Sequence, residues 1–131
     1  MRITYPEHCG NSPKKVQLID LHKAIINGDA SFLLASLSSD VVLNVVGESV
    51  IVGRENVAAA ARDVVKQDLR EIRIKDVITH GNVAAVHGSL LFEGRPQVDF
   101  CDVYGFSGFG RTATIKKIDS YRIPIGTGRG L

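Results

Sequence analysis

Two aspartates stand three residues apart in an apolar run, Val98-Asp99-Phe100-Cys101-Asp102-Val103-Tyr104-Gly105-Phe106. Side chains alternate along a strand, so Phe100, Asp102, Tyr104 and Phe106 share one side. A carboxyl group then sits on a face otherwise made of aromatic rings. An unpaired charge is costly to take out of water, so such a group is paired, hydrogen-bonded or protonated. Each of those outcomes is a way of building a pocket or an acid/base site. Asp99 has the parity of Cys101 and Val103, which turns it away from Asp102.

Other polar residues fall in apolar settings. Asn44 interrupts Val41-Val42-Leu43-Asn44-Val45-Val46 and must find partners if it is buried, either in a pocket or on the backbone. Ile118, Ser120 and Arg122 share one face of the last apolar segment. There Arg122 could hold an anion, pair with Asp102 or point to solvent. A direct pair would keep Asp102 ionised with a lowered pKa and exclude a role as a proton-bearing donor. His22, beside Leu21, either reaches the mouth of a pocket for proton transfer or is a half-exposed helix residue. The four histidines, His8, His22, His80 and His87, lack metal-ligand spacing, so no metal site is expected.

These residues need elements to position them. A helix starts at Ser12-Pro13, with serine as N-cap and proline at the first helical position, and carries Val16, Leu18, Ile19, Leu21, Ile25 and Ile26. Asn27-Gly28 ends it, Asp29 caps a short helix over residues 30–37, and Ser38-Ser39-Asp40 breaks that helix. Residues 41–46 and 48–52 read as strands. Gly53-Arg54-Glu55-Asn56 opens a third helix. Strands are expected over 70–79, 83–92, 97–106 and 114–123, joined by Gly81-Asn82, Glu93-Gly94-Arg95-Pro96 and Ser107-Gly108-Phe109-Gly110. Short links imply antiparallel neighbours, giving an α+β architecture with the helices on one face of a curved sheet. Residues 1–11 read as a loose leader, and residues 126–131 as a frayed glycine-rich tail rather than a phosphate loop.

The totals fit one domain. The chain has 131 residues, 44% of them apolar, which is enough for a single core. Sixteen basic residues against fourteen acidic ones, scattered along the chain, argue against nucleic acid as a partner. No apolar run is long enough to span a membrane. The N-terminus has no signal-peptide core, and Cys9 and Cys101 lie in unlike contexts. A free thiol at Cys101 and a cytoplasmic location are expected.

Several stretches in order resemble the nuclear transport factor 2-like superfamily, which includes ketosteroid isomerase, limonene epoxide hydrolase and the SnoaL-like polyketide cyclases. They are Ala24-Ile25-Ile26-Asn27-Gly28-Asp29, Gly53-Arg54-Glu55-Asn56-Val57, Asp102-Val103-Tyr104-Gly105-Phe106 and Ile115-Lys116-Lys117-Ile118-Asp119-Ser120-Tyr121. The resemblance spans about residues 16 to 123. It implies a cone-shaped α+β fold, a strongly bent, mostly antiparallel sheet and three helices enclosing one pocket, commonly as a homodimer packed through the sheet.

By the same resemblance, Asp102 matches the acid of the isomerase oxyanion hole, and the strand position of a catalytic aspartate in the epoxide hydrolase. The isomerase base falls at Asn44, which also roughly matches the hydrolase's water-holding asparagine. The isomerase tyrosine falls near Leu21, the hydrolase's second aspartate near Ser120, and its arginine near Phe100. Apart from that asparagine match, none of the four is the residue type the known chemistry uses. The resemblance turns Ala84, Val86 and Gly88 inward and His87 outward. The expected pocket therefore holds Asp102 as catalytic candidate, with Leu21, Asn44, Val86, Phe100, Tyr104, Ile118, Ser120 and Arg122 around it. Phe32, Val65 and Phe106 are further walls for a hydrophobic ring system. Two functions follow: a cofactor-free isomerase, cyclase or hydrolase of a small apolar molecule, or a non-catalytic ligand-binding or protein-association module.

Overall fold

In the computed structural model, residues 1–7, 12–108, 110 and 112–126 are described. His8, Cys9, Phe109 of the expected last turn, and the tail beyond Gly126 lie outside them. Helix α1 (Pro13–Asn27) begins with proline at its first turn, and Ser12 adopts an extended N-cap backbone without a side-chain cap bond. Gly28 ends α1 at φ +71°, a left-handed conformation that glycine adopts without strain. Asp29 caps α2 (Ala30–Ser36) by accepting from the Phe32 N–H at 3.2 Å. Helix α3 (Arg54–Val65) follows Gly53.

The strands form one sheet. In chain order they are β1 (Arg2–Thr4), β2 (Leu37–Val45), β3 (Ser49–Val52), β4 (Leu69–His80), β5 (Val83–Phe92), β6 (Val98–Phe106) and β7 (Ile115–Pro124). Their order across the sheet is β1-β4-β5-β6-β7-β2-β3. The β4–β7 meander is antiparallel, while β1 on β4 and β2 on β7 are parallel pairs.

Two expectations need correction. The leader contains β1, held to β4 because buried Glu71 accepts from Arg2 at 2.9 Å and from Thr4 at 3.1 Å. Ser38-Ser39-Asp40 does not separate elements but lies inside β2. The register on β7 shifts there, between Leu37 and Val42, and Ser38 and Thr114 share a 2.7 Å hydroxyl hydrogen bond. An irregularity of this kind bends a strand without ending it.

Further register shifts occur in β4, between Leu69 and Glu71 and between Ile74 and Asp76. Gly88 of β5 faces that second bulge, and a Cβ on it would lie 2.0 Å from the Arg73 carbonyl oxygen. Only glycine lets β4 come so close. The helices cover the concave side of the bend, where Leu18, Leu21, Leu33, Leu43, Val57, Ile72, Phe100 and Ile118 join one core.

Candidate functional site

Strand β6 runs between β5 and β7, with Asp102 opposite Val86 on one side and Ser120 on the other. The Ser120 hydroxyl donates to Asp102 Oδ1 at 2.5 Å, and the Tyr104 hydroxyl donates to Oδ2 at 3.3 Å. Arg122 Nε donates to Ser120 Oγ at 3.0 Å. The guanidinium thus reaches the carboxyl group through the serine, and no direct Asp102–Arg122 ion pair forms. Asp102 is half-buried and lines two cavities.

Burial raises the Asp102 pKa above the usual carboxylate value, although Ser120, His22, Arg122 and Tyr104 pull the other way. The low pKa that a direct arginine pair would have produced is therefore corrected to a raised one, because desolvation outweighs an indirect cation. Burial also pushes the Tyr104 phenol well above its ordinary value, with Asp102 adding to the effect. Tyr104 remains a neutral donor.

His22 stands over this cluster. It is not a half-exposed helix residue: it is 4% exposed and stacks on Phe100, with ring centroids 6.2 Å apart. Its Nδ1 lies 2.7 Å from the Leu18 carbonyl oxygen, which can only accept, so Nδ1 carries the proton. Nε2 is left with its lone pair. Among the described residues nothing hydrogen-bonds to it, and it is not a sealed, unsatisfied atom. Burial lowers the His22 pKa, opposed by the Leu18 carbonyl and by Asp102.

Two adjoining cavities meet at these groups, each offering about 90 Å³ to the centres of water-sized molecules. Both are lined by His22, Ile25, Ala61, Asp102 and Arg122. One extends along Val64, Leu69, Ile72, Leu90 and Phe100. The other runs past Leu21, Leu33, Leu37, Leu43, Val57, Tyr104 and Ile118. The expected pocket thus has two adjoining chambers, which share His22, Ile25, Ala61, Asp102 and Arg122.

Of the residues expected at the site, Asp102, Leu21, Phe100, Tyr104, Ile118 and Arg122 line a cavity. Val86 and Ser120 are packed in the core beside Asp102 and line neither. Asn44 lies on the other face: Leu43 points inward, and Asn44 donates to Asp119 at 3.4 Å. Helix phase replaces Phe32 and Val65 with Leu33 and Val64. Phe106 is buried beneath the Lys14 ammonium, 5.1 Å from the ring centroid. His87 faces outward as expected and meets Asp76 at 2.6 Å. His22 lines both cavities although it was not among the residues expected around Asp102. Its signal was available in Leu18, His22 and Ile25, which lie on one helical stripe.

Among the described residues no group of three or more His, Cys, Asp or Glu could hold a metal ion, and no helix is long and apolar enough to cross a membrane. The family model of the SnoaL-like domain matches residues 18–115. No curated protein matches the chain. Among solved structures it is similar to an NTF2-like protein of unknown function from Cytophaga hutchinsonii (TM-score 0.65, 23% identity, 82% of this chain and 97% of that one). It is also similar to another from Burkholderia xenovorans (0.73, 16%, 90% and 88%). A third likeness is to a candidate ketosteroid isomerase from Kribbella flavida (0.73, 11%, 91% and 84%). At these identities the three likenesses establish the fold.

Proposed function

We propose that this chain, which belongs to the SnoaL-like domain family, binds a small apolar molecule across its two chambers and moves a proton on it with its own side chains. The chemistry that fits best is proton abstraction beside a carbonyl group, as in an isomerase or cyclase. The observation that carries this reading is that His22, with Nδ1 used by Leu18, lines the same cavities as Asp102.

The roles follow from proton affinity. A histidine with a lowered pKa is neutral near pH 7 and available as a base. An aspartic acid with a raised pKa keeps its proton further toward neutrality than an ordinary carboxyl group. His22 Nε2 would take the proton from the carbon next to the carbonyl. The protonated Asp102 would donate a hydrogen bond to the enolate oxygen as charge develops. His22 would then return its proton to a second carbon, leaving both residues as they began. Asn44 has no part in this scheme, since the base comes from α1.

The test is deuterium incorporation next to the carbonyl of 2-tetralone in D2O, followed by proton NMR. Exchange should exceed that given by free imidazole at equal concentration, and His22→Gln should remove the excess. Exchange no faster than imidazole, alongside ligand-induced shifts of the His22 ring, would leave ligand binding as the function.

The proposal also includes a homodimer formed through the outer face of the sheet. Val50, Val52, Ile78, Val83, Tyr121 and Ile123 are exposed there, and such apolar surface suits an interface. Light scattering should give twice the chain mass, and Tyr121→Glu with Ile123→Glu should halve it. We place the protein in the cytoplasm, where a free thiol such as Cys101 stays reduced.

A further inference from the structure

The cations of the sheet are not treated alike. Arg2 and Arg73 lie against Glu71, and Arg70 lies against Glu93. Arg122 is more enclosed than these, yet among the described residues it has no carboxylate within ion-pair distance. Its Nε is used by Ser120, and among the described residues the two terminal nitrogens have no protein acceptor. It lines both chambers beside Asp102, the one acid on their walls among the described residues. A guanidinium partly withdrawn from water and lacking a counter-ion is unfavourable, and an incoming anion relieves that cost.

We infer that the ligand is a monocarboxylate with an apolar body, its carboxylate held by the terminal nitrogens of Arg122 at the junction of the chambers. This rests on the reading of the cavities as a ligand site. The remaining lining is apolar apart from His22, Asp102 and the Tyr104 hydroxyl, which suits a hydrocarbon body. The guanidinium fork matches a carboxylate in two parallel hydrogen bonds. One cation offsets one negative charge, so a phosphate dianion would be left half neutralised. The inference narrows the expected small apolar molecule to one with an acidic end.

The test compares 2-naphthoate, 2-naphthamide and 2-naphthyl phosphate on the whole chain by calorimetry. Naphthoate should bind about tenfold or more tightly than the amide, as expected for a charge-assisted pair in an enclosed site. Arg122→Gln should remove that preference while leaving amide binding, and Arg122→Lys should restore part of it. Ala61→Leu, which fills space next to both chambers, should weaken both ligands and so locate them. Equal affinity for acid and amide, or a preference that survives Arg122→Gln, overturns the carboxylate assignment while the cavity reading stands. Tighter binding of the phosphate overturns it in favour of a dianion. Binding of none of the three removes the cavity reading, and the assignment with it.

Discussion

Asp99 and Asp102 lie on the same strand, yet the two faces of the sheet give them opposite proton affinities. On the outer face, Asp99 accepts from Gln97 at 2.9 Å and from Ser89 at 2.8 Å, and these donors lower its pKa. On the inner face, Asp102 also has two donors, the Ser120 and Tyr104 hydroxyls, but burial outweighs them and raises its pKa. The histidines divide in the same way. His87 meets Asp76 at the surface, while His22 is enclosed and has an open nitrogen. Residue type alone therefore does not mark the site. Enclosure does, because it makes each titratable group prefer its neutral form.

The strongest attempt to break this contrast is to remove each carboxylate in turn. Asp102→Asn should lower enzyme-catalysed exchange into 2-tetralone by roughly 10²- to 10⁴-fold, the usual range for a positioned acid or base. Asp99→Asn should leave it nearly unchanged. Comparable losses in both variants would show that the two faces do not differ in function.

The next effect concerns backbone rather than charge. Gly88 belongs to the inner face and Gly105 to the outer one. Gly88→Ala places a Cβ against the Arg73 carbonyl and should cost about 1–3 kcal/mol in denaturant unfolding, the range for overpacking. At Gly105 the nearest atom is the Lys117 Cβ at 3.6 Å, an ordinary contact, so Gly105→Ala should be close to neutral. Equal costs would mean that the close approach at the β4 bulge does not constrain the bend.

Much of this contrast could be read before the structure. Strand alternation alone turned Asp102 inward and Asp99 outward, because β6 is apolar enough to register as a strand and has a central place in the sheet. The bounds of β5 matched at both ends, since Gly81-Asn82 and Glu93-Gly94 are strong turn formers. β2 was less legible. It is apolar on both faces, so its parity gives no direction, and only the resemblance puts Asn44 in the pocket. β1 has only three residues, and its anchor Glu71 lies far along the chain, beyond any local pattern. His22 required knowing that the α1 stripe passes over Asp102, which is tertiary information.

A third test uses the pH dependence of stability. Between the ordinary carboxyl pKa and the raised value of Asp102, the folded state binds more protons than the unfolded one. Asp102 therefore makes stability fall as pH rises through that window. Asp99 has its pKa lowered on folding, so its contribution is complete above the ordinary carboxyl pKa and is lost as pH falls through the folded value. His22, also lowered, should cost stability as pH falls below about 6.5. Urea midpoints measured from pH 3 to 8 should change slope in opposite directions for Asp102→Asn and Asp99→Asn. Slopes of the same sign would contradict the opposed shifts.

The smallest expected effect is at the surface pair. Asp76 and His87 are 62% and 45% exposed at their side chains, so water and salt screen the 2.6 Å contact. Asp76→Asn keeps the shape and removes the charge, and its effect should stay within about 1 kcal/mol, as for exposed ion pairs generally. His22→Gln has no such screening: it removes the Nδ1 donor to the Leu18 carbonyl and a ring stacked on Phe100. Its cost in urea unfolding should be clearly the larger of the two. The two histidine contacts have nearly the same length, 2.6 and 2.7 Å, but one partner is a carboxylate at the surface and the other a backbone carbonyl in an enclosed setting. If Asp76→Asn proved as damaging as His22→Gln, contact geometry rather than enclosure would set the energetics of this sheet.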